Sequence, residues 1–123
     1  MKYAIEKALN VIIPEGIKKI IETNKEININ VDGEMNNFIV LSPEEMLEAY
    51  KEQKDLFDYN IIPFALLDDD YLCLNYQNNS ISIIYWSSER AVESKKLAIF
   101  ELYPSYDDLI KICSTTNPPN RQA

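Results

Sequence analysis

Apolar residues recur at helical spacing near the start of the chain. Between residues 5 and 12 they fall three or four positions apart, ending at Ile12, which predicts a short amphipathic helix. Pro14 is typical of a first helical position, and isoleucines follow it at the same spacing. We therefore predict a second helix over residues 14–24.

The next segment predicts two strands and a helix. Residues 27–31 alternate and residues 38–41 are apolar, with Asp32-Gly33 between them as a turn. The following helix has a clear start, because Ser42 can cap it, Pro43 suits its first position and Glu45 completes a capping box. Its buried stripe is expected to run from Met46 to Phe57.

From residue 61 the hydrophobic period changes from helical to two. An antiparallel meander over residues 61–103 is predicted, with Asn78-Asn79 as one of its turns and Ser87–Arg90 as a polar loop. The strands of the meander are predicted at 61–67, 71–77, 80–86 and 97–103. After the meander, Ser105 is expected to cap a closing helix.

This order of elements predicts one α+β domain, in which a mainly antiparallel sheet packs with N-terminal helices, a middle helix and a C-terminal helix. The domain is expected to span residues 1–113. Residues 114–123, which contain two consecutive prolines, are expected to form a frayed tail.

Charge is concentrated in the middle third of the chain. The net charge is −8, and residues 41–80 carry nine acidic side chains against two lysines. Phosphate backbones and anionic lipids repel such a protein, so we expect no nucleic acid or membrane partner. A protein with a basic surface is the expected partner.

The chain has no histidine, which excludes catalytic triads built on histidine and histidine zinc sites. No run of apolar residues approaches the length of a membrane span, and no signal peptide is expected at the start. The two cysteines lie far apart without motif spacing, which favours reduced thiols in a cytoplasmic protein. We expect no cofactor and no metal site.

Three consecutive aspartates, Asp68, Asp69 and Asp70, stand between two apolar runs. They lack the alternate ligand spacing and the glycine of a calcium loop. Aspartate is common in tight turns, and this stretch is therefore either a turn alone or a turn that also contributes to an acidic binding surface.

The other candidate binding residues are acidic or aromatic. Glu44 and Glu48 lie on the predicted middle helix, where acids are either a solvated face or a second part of that surface. Trp86 ends a strand and Glu89 follows it. Tryptophan anchors many interfaces, although core packing is the alternative. No pair of acids is marked as catalytic.

Five segments in order resemble the SUKH superfamily, which contains bacterial immunity proteins and fungal regulators of cell-wall glucan synthesis. The resemblance covers residues 5–113. It is carried by LNVIIPEGIKKIIETN, FIVLSPEEMLEAYKE, NIIPFALLDDDYLCLNY, ISIIYWSSE and FELYPSYDDLIKI.

The resemblance implies binding rather than catalysis. The leading hypothesis is an intracellular immunity protein that neutralises a cognate bacterial toxin, possibly a nuclease, through its acidic surface. The alternative is a regulatory or scaffold module for a non-toxin protein. A carboxylate-dependent or metal-dependent enzyme is a third hypothesis, which predicts a pocket where acids converge.

Overall fold

The computed structural model describes residues 2–57 and 60–115. Its helices are α1 (Ala4–Leu9), α2 (Glu15–Thr23), α3 (Pro43–Gln53), α4 (Ser88–Ala91) and α5 (Tyr106–Thr115). Its strands are β1 (Glu26–Val31), β2 (Glu34–Val40), β3 (Ile61–Leu67), β4 (Asp70–Tyr76), β5 (Ile81–Trp86) and β6 (Ile99–Tyr103).

The six strands form one antiparallel sheet in the order β1-β2-β3-β4-β5-β6. The predicted α+β class and the meander are confirmed. The sheet is larger than the predicted meander over residues 61–103, because β2 pairs with β3 and so adds the β1–β2 hairpin. On the helical side, α3 packs against α1 and β3, and α5 packs against α2, β5 and β6.

The predicted start of α3 is confirmed. The Glu45 amide donates to Ser42 Oγ at 3.1 Å, and the Ser42 amide donates to Glu45 Oε1 at 2.8 Å, with Pro43 in the first turn. Ser105 acts similarly at α5, where its Oγ accepts from the Asp107 amide at 3.2 Å. These starts depend on contacts within three residues, so the sequence reports them directly.

Other predicted boundaries are wrong in instructive ways. Helix α1 ends where Asn10 adopts a left-handed conformation, which leaves Ile12 outside the helix and 69% exposed. Phe57 is buried but lies beyond the end of α3.

Residues 88–91 form a one-turn helix instead of a loop, because Ser87 Oγ accepts a hydrogen bond from the Arg90 amide. Helix α5 ends at Thr115, so it includes the first two residues of the predicted frayed tail, which stays a prediction. Asp58 and residues 116–123 lie outside the described residues.

The turns of the sheet follow the predicted turn residues. Asp32 and Gly33 have φ values of 52° and 89°, as an Asp-Gly hairpin requires. Asp68, with φ of 55°, forms a two-residue turn with Asp69. The connection around Asn78-Asn79 is also a turn, but neither residue adopts the positive φ that motivated the prediction.

A buried ion pair ties the two N-terminal helices together. The Glu6 carboxylate is fully buried, lies 2.8 Å from Lys18 Nζ, and accepts hydrogen bonds from the amides of Tyr3 and Ile13, both at 2.7 Å. The Lys18 ammonium also lies over the Tyr3 ring. These contacts join the start of α1, the α1–α2 loop and α2.

Candidate partner-binding surface

Three loops lie together at the same end of the strands, and we call this end of the sheet the turn edge. In an antiparallel meander successive connections alternate between the two ends of the strands. The β1–β2 turn, the β3–β4 turn and the β5–β6 connection therefore lie at the same end. The turn edge consists of Asp32-Gly33, Asp68-Asp69 and residues 87–98.

The three consecutive aspartates differ in environment. Asp68 and Asp69 form the β3–β4 turn and are exposed. Asp70 is the first residue of β4 and is half-buried, and its carboxylate accepts hydrogen bonds from the Tyr85 hydroxyl and from Ser88 N and Oγ, at 2.9 and 3.1 Å for the two Ser88 atoms. Burial, the hydrogen bond to Asp70 and the charges of Asp70 and Asp68 raise the pKa of Tyr85. Asp70 thus fixes the β4–β5–α4 corner from inside the fold.

Helix α3 carries a row of exposed acids. Glu44, Glu48 and Glu52 are spaced by four residues, which places them along one side of the helix about 6 Å apart in rise. The opposite side holds Met46 and Ala49, which are buried. The row therefore faces solvent.

The last acid of this row, Glu52, and Asp69 of the β3–β4 turn both act on Tyr71. Burial is the main reason that the pKa of Tyr71 is raised, and the charges of Glu52 and Asp69 raise it further. Both carboxylates are therefore close enough to act on the same hydroxyl. We define the acidic surface as the α3 row and the two exposed aspartates of the β3–β4 turn: Glu44, Glu48, Glu52, Asp68 and Asp69. Glu89 is also exposed and lies on α4, within the turn edge.

The structure corrects the expectation for Trp86. Its side chain is fully buried, with its ring 4.8 Å from that of Phe57 and 5.9 Å from that of Tyr71. Among residues 2–57 and 60–115, nothing accepts a hydrogen bond from its indole N–H. Trp86 is part of the core in this structure and presents no surface to a partner.

Exposed apolar side chains occur instead in the β5–β6 connection and in β6. Val92, Leu97 and Phe100 are 79%, 54% and 51% exposed. A cavity of about 280 Å³ opens beside Leu97 and Phe100. Its lining includes Asp32, Asp70, Tyr85, Arg90, Leu97 and Phe100.

Sequence reasoning missed several of these residues. Glu52 continues the four-residue spacing of Glu44 and Glu48, so that spacing could have identified it. Asp32 and Phe100 come together only because the sheet curls until residues of β1 and β6 line one cavity. No local pattern in the sequence reports that long-range approach.

Within the described part of the chain, no three side chains of the histidine, cysteine or acidic types are arranged to hold a metal ion. The same residues contain no helix with the length and apolar character that a membrane crossing requires. The two cysteines, Cys73 and Cys113, are free thiols.

Residues 3–112 match the family model described as the SMI1 / KNR4 family (SUKH-1). The match covers all strands and nearly all of the helical residues described above. No curated protein matches the chain.

Proposed function

This chain belongs to the SMI1 / KNR4 family (SUKH-1), and from that premise we propose that it is an immunity protein that neutralises a cognate bacterial toxin. The family includes immunity proteins and related regulators. Neutralisation is proposed to occur by binding, in the bacterial cytoplasm, without chemistry performed by this chain.

The observation that carries this proposal is the acidic surface. Glu52 of α3 and Asp69 of the β3–β4 turn both act on the Tyr71 hydroxyl, and exposed charges of one sign on neighbouring elements add to one field. A toxin that acts on nucleic acid needs a basic substrate site, which such a surface complements. A nuclease is therefore the class of toxin that the charge favours.

The acids of this surface are proposed to steer association more than to supply affinity. Exposed ion pairs contribute about 0.2–1 kcal/mol each, whereas a field of one sign can raise the association rate by one to three orders of magnitude. The exposed apolar residues Leu97 and Phe100 are the better candidates for contacts that slow dissociation.

The test is co-expression in bacteria with the product of the neighbouring open reading frame. We expect that product alone to stop growth and this protein to restore it. A neighbour that is harmless, or that stays toxic in the presence of this protein, would contradict the immunity role. A harmless neighbour that still binds would instead indicate a regulatory module.

Variants with neutralised acids test the role of the acidic surface in the same co-expression assay. The surface variant combines Glu44→Gln, Glu48→Gln, Asp68→Asn and Asp69→Asn, where asparagine retains the tolerance for positive φ that position 68 requires. The matched control combines Glu15→Gln, Glu26→Gln, Glu101→Gln and Asp107→Asn, which are exposed acids outside the acidic surface. We expect protection to weaken in the first variant and to persist in the control.

A further inference from the structure

The cavity at the turn edge is small and is lined by both apolar and charged side chains. Leu97 and Phe100 line it while remaining about half exposed, and the Tyr85 ring forms part of its lining. Its volume of about 280 Å³ is slightly below the roughly 300–1,000 Å³ of pockets that hold whole small molecules. The cavity therefore suits one inserted side chain better than a free metabolite.

The charged groups of the cavity are not all used within the fold. Asp70 accepts hydrogen bonds from Tyr85 and Ser88, as described above. The Asp32 carboxylate has no hydrogen-bond or ion-pair partner among the described residues, and the Arg90 guanidinium likewise has none. Among the residues that line the cavity the charge balance is negative, with the carboxylates of Asp32 and Asp70 against the guanidinium of Arg90.

We propose that this cavity receives an arginine side chain of the partner, with its stem against Leu97 and Phe100 and its guanidinium paired with Asp32. Arginine is favoured over lysine because a planar guanidinium stacks on aromatic rings and is less strongly hydrated than an ammonium. The identity of the partner rests on the proposed function, whereas the preference of the cavity for a guanidinium does not.

Arg90 allows the charge preference of the cavity to be tested by the direction in which the affinity changes. Its positive charge lies in the same cavity and repels an incoming guanidinium. Removing that charge should therefore strengthen arginine binding, while removing the charge of Asp32 should weaken it. A cavity for a carboxylate would show the opposite signs at both positions.

The test is an NMR titration of the full chain with N-acetyl-arginine amide, followed through the backbone amides of Asp32, Leu97 and Phe100. We expect saturable shifts at these amides, weaker shifts with N-acetyl-lysine amide, and none that saturate with N-acetyl-aspartate amide. Affinity should fall about two- to five-fold in Asp32→Asn and rise by a similar factor in Arg90→Gln, as expected for exposed charges.

The variants are chosen to keep the fold. Asparagine tolerates the φ of 52° at position 32, and Arg90 is exposed. The control is Glu26→Gln, an exposed acid at the other end of β1, roughly 17 Å away along the strand, which should leave the affinity unchanged.

Three results would overturn the proposal: no saturable shift at the cavity, equal affinity in Asp32→Asn and the wild type, or tighter binding of the aspartate compound. This titration requires no toxin. Arginine binding without protection in the co-expression assay would therefore contradict the proposed function and leave the cavity assignment intact. Protection without saturable arginine binding would contradict the cavity assignment and leave the proposed function intact.

Discussion

Asp69 and Asp70 are neighbours in the sequence with different physical roles. Asp69 is an exposed turn residue, whereas Asp70 accepts hydrogen bonds from Tyr85 and Ser88 in a half-buried site. Removing a carboxylate that accepts hydrogen bonds inside the fold lowers the stability, whereas removing an exposed carboxylate mainly affects binding.

We therefore predict that Asp70→Ala lowers the free energy of unfolding by about 2 kcal/mol, because it leaves part-buried donors of Tyr85 and Ser88 without their acceptor. Asp69→Ala is the control, and its effect should stay within about 0.5 kcal/mol. Urea denaturation followed by circular dichroism measures both. Equal effects of the two variants would show that Asp70 is not a structural acceptor.

Glu6 is the buried carboxylate whose removal should cost most. Glu6→Gln takes away the charge 2.8 Å from Lys18 Nζ, and breaking a buried pair typically costs about 3–5 kcal/mol. We expect about 3 kcal/mol by urea denaturation, since glutamine keeps one acceptor oxygen. Glu48→Gln, an exposed acid of α3, should change stability by less than about 0.5 kcal/mol. A small effect of Glu6→Gln would mean that the pair adds little.

The stability difference between the wild type and Glu6→Gln should change with pH in one direction. Burial alone would raise the pKa of Glu6, but hydrogen bonds from Ile13, Lys18 and Tyr3 outweigh it and hold the pKa below its ordinary 4.5. Glu6 therefore stabilises the fold above its unfolded pKa, and this contribution is lost as the pH falls through the folded pKa. The stability difference between wild type and Glu6→Gln should be constant at neutral pH and shrink below about pH 4.5. A difference that persists unchanged in acid would contradict this role.

At the scale of elements, the close approach of α2 and α5 depends on Gly16. A Cβ at position 16 would lie 2.4 Å from Ile110 Cδ1, well inside van der Waals contact. Glycine is otherwise unfavourable in a helix, so its presence here is explained by packing rather than by backbone conformation.

We predict that Gly16→Ala changes the stability by less than about 1 kcal/mol, because the displacement of the Ile110 Cδ1 atom offsets the better helix propensity of alanine. Ile110→Val removes the Cδ1 atom that the new methyl group meets, so the double variant should be more stable than the sum of the single changes predicts. Urea denaturation of the four proteins gives this coupling energy. Additive effects would show that α5 shifts without cost.

The elements that could be predicted from the sequence are those fixed by local chemistry. The capping box of α3, the Asp32-Gly33 turn and the strand pattern after residue 61 depend on residues close in sequence. Trp86 could not be placed, because alternation shows which side chains share a face and not which faces are covered. The role of Asp70 depends on Ser88, 18 residues away, and the cavity depends on β1 approaching β6.

At the scale of the whole molecule, the net charge of −8 is not spread evenly. The excess of acids lies in residues 41–80, and the fold brings two acids of this segment, Glu52 of α3 and Asp69 of the β3–β4 turn, near Tyr71. The resulting field is long-ranged at low salt and is screened within about 10 Å at 0.1 M ionic strength. Its effect should therefore appear in the rate of association.

The role of the acidic surface is tested by the association rate between this protein and the toxin identified by co-expression, measured by stopped flow as a function of salt. For the wild type and for the matched control variant with four exposed acids removed elsewhere, we expect the rate to fall at least ten-fold between low and high ionic strength. For the surface variant at Glu44, Glu48, Asp68 and Asp69, the low-salt rate should be lower and the salt dependence shallow. Rates that are independent of salt, or equal in the surface and control variants, would contradict the claim that the acidic surface recognises the toxin.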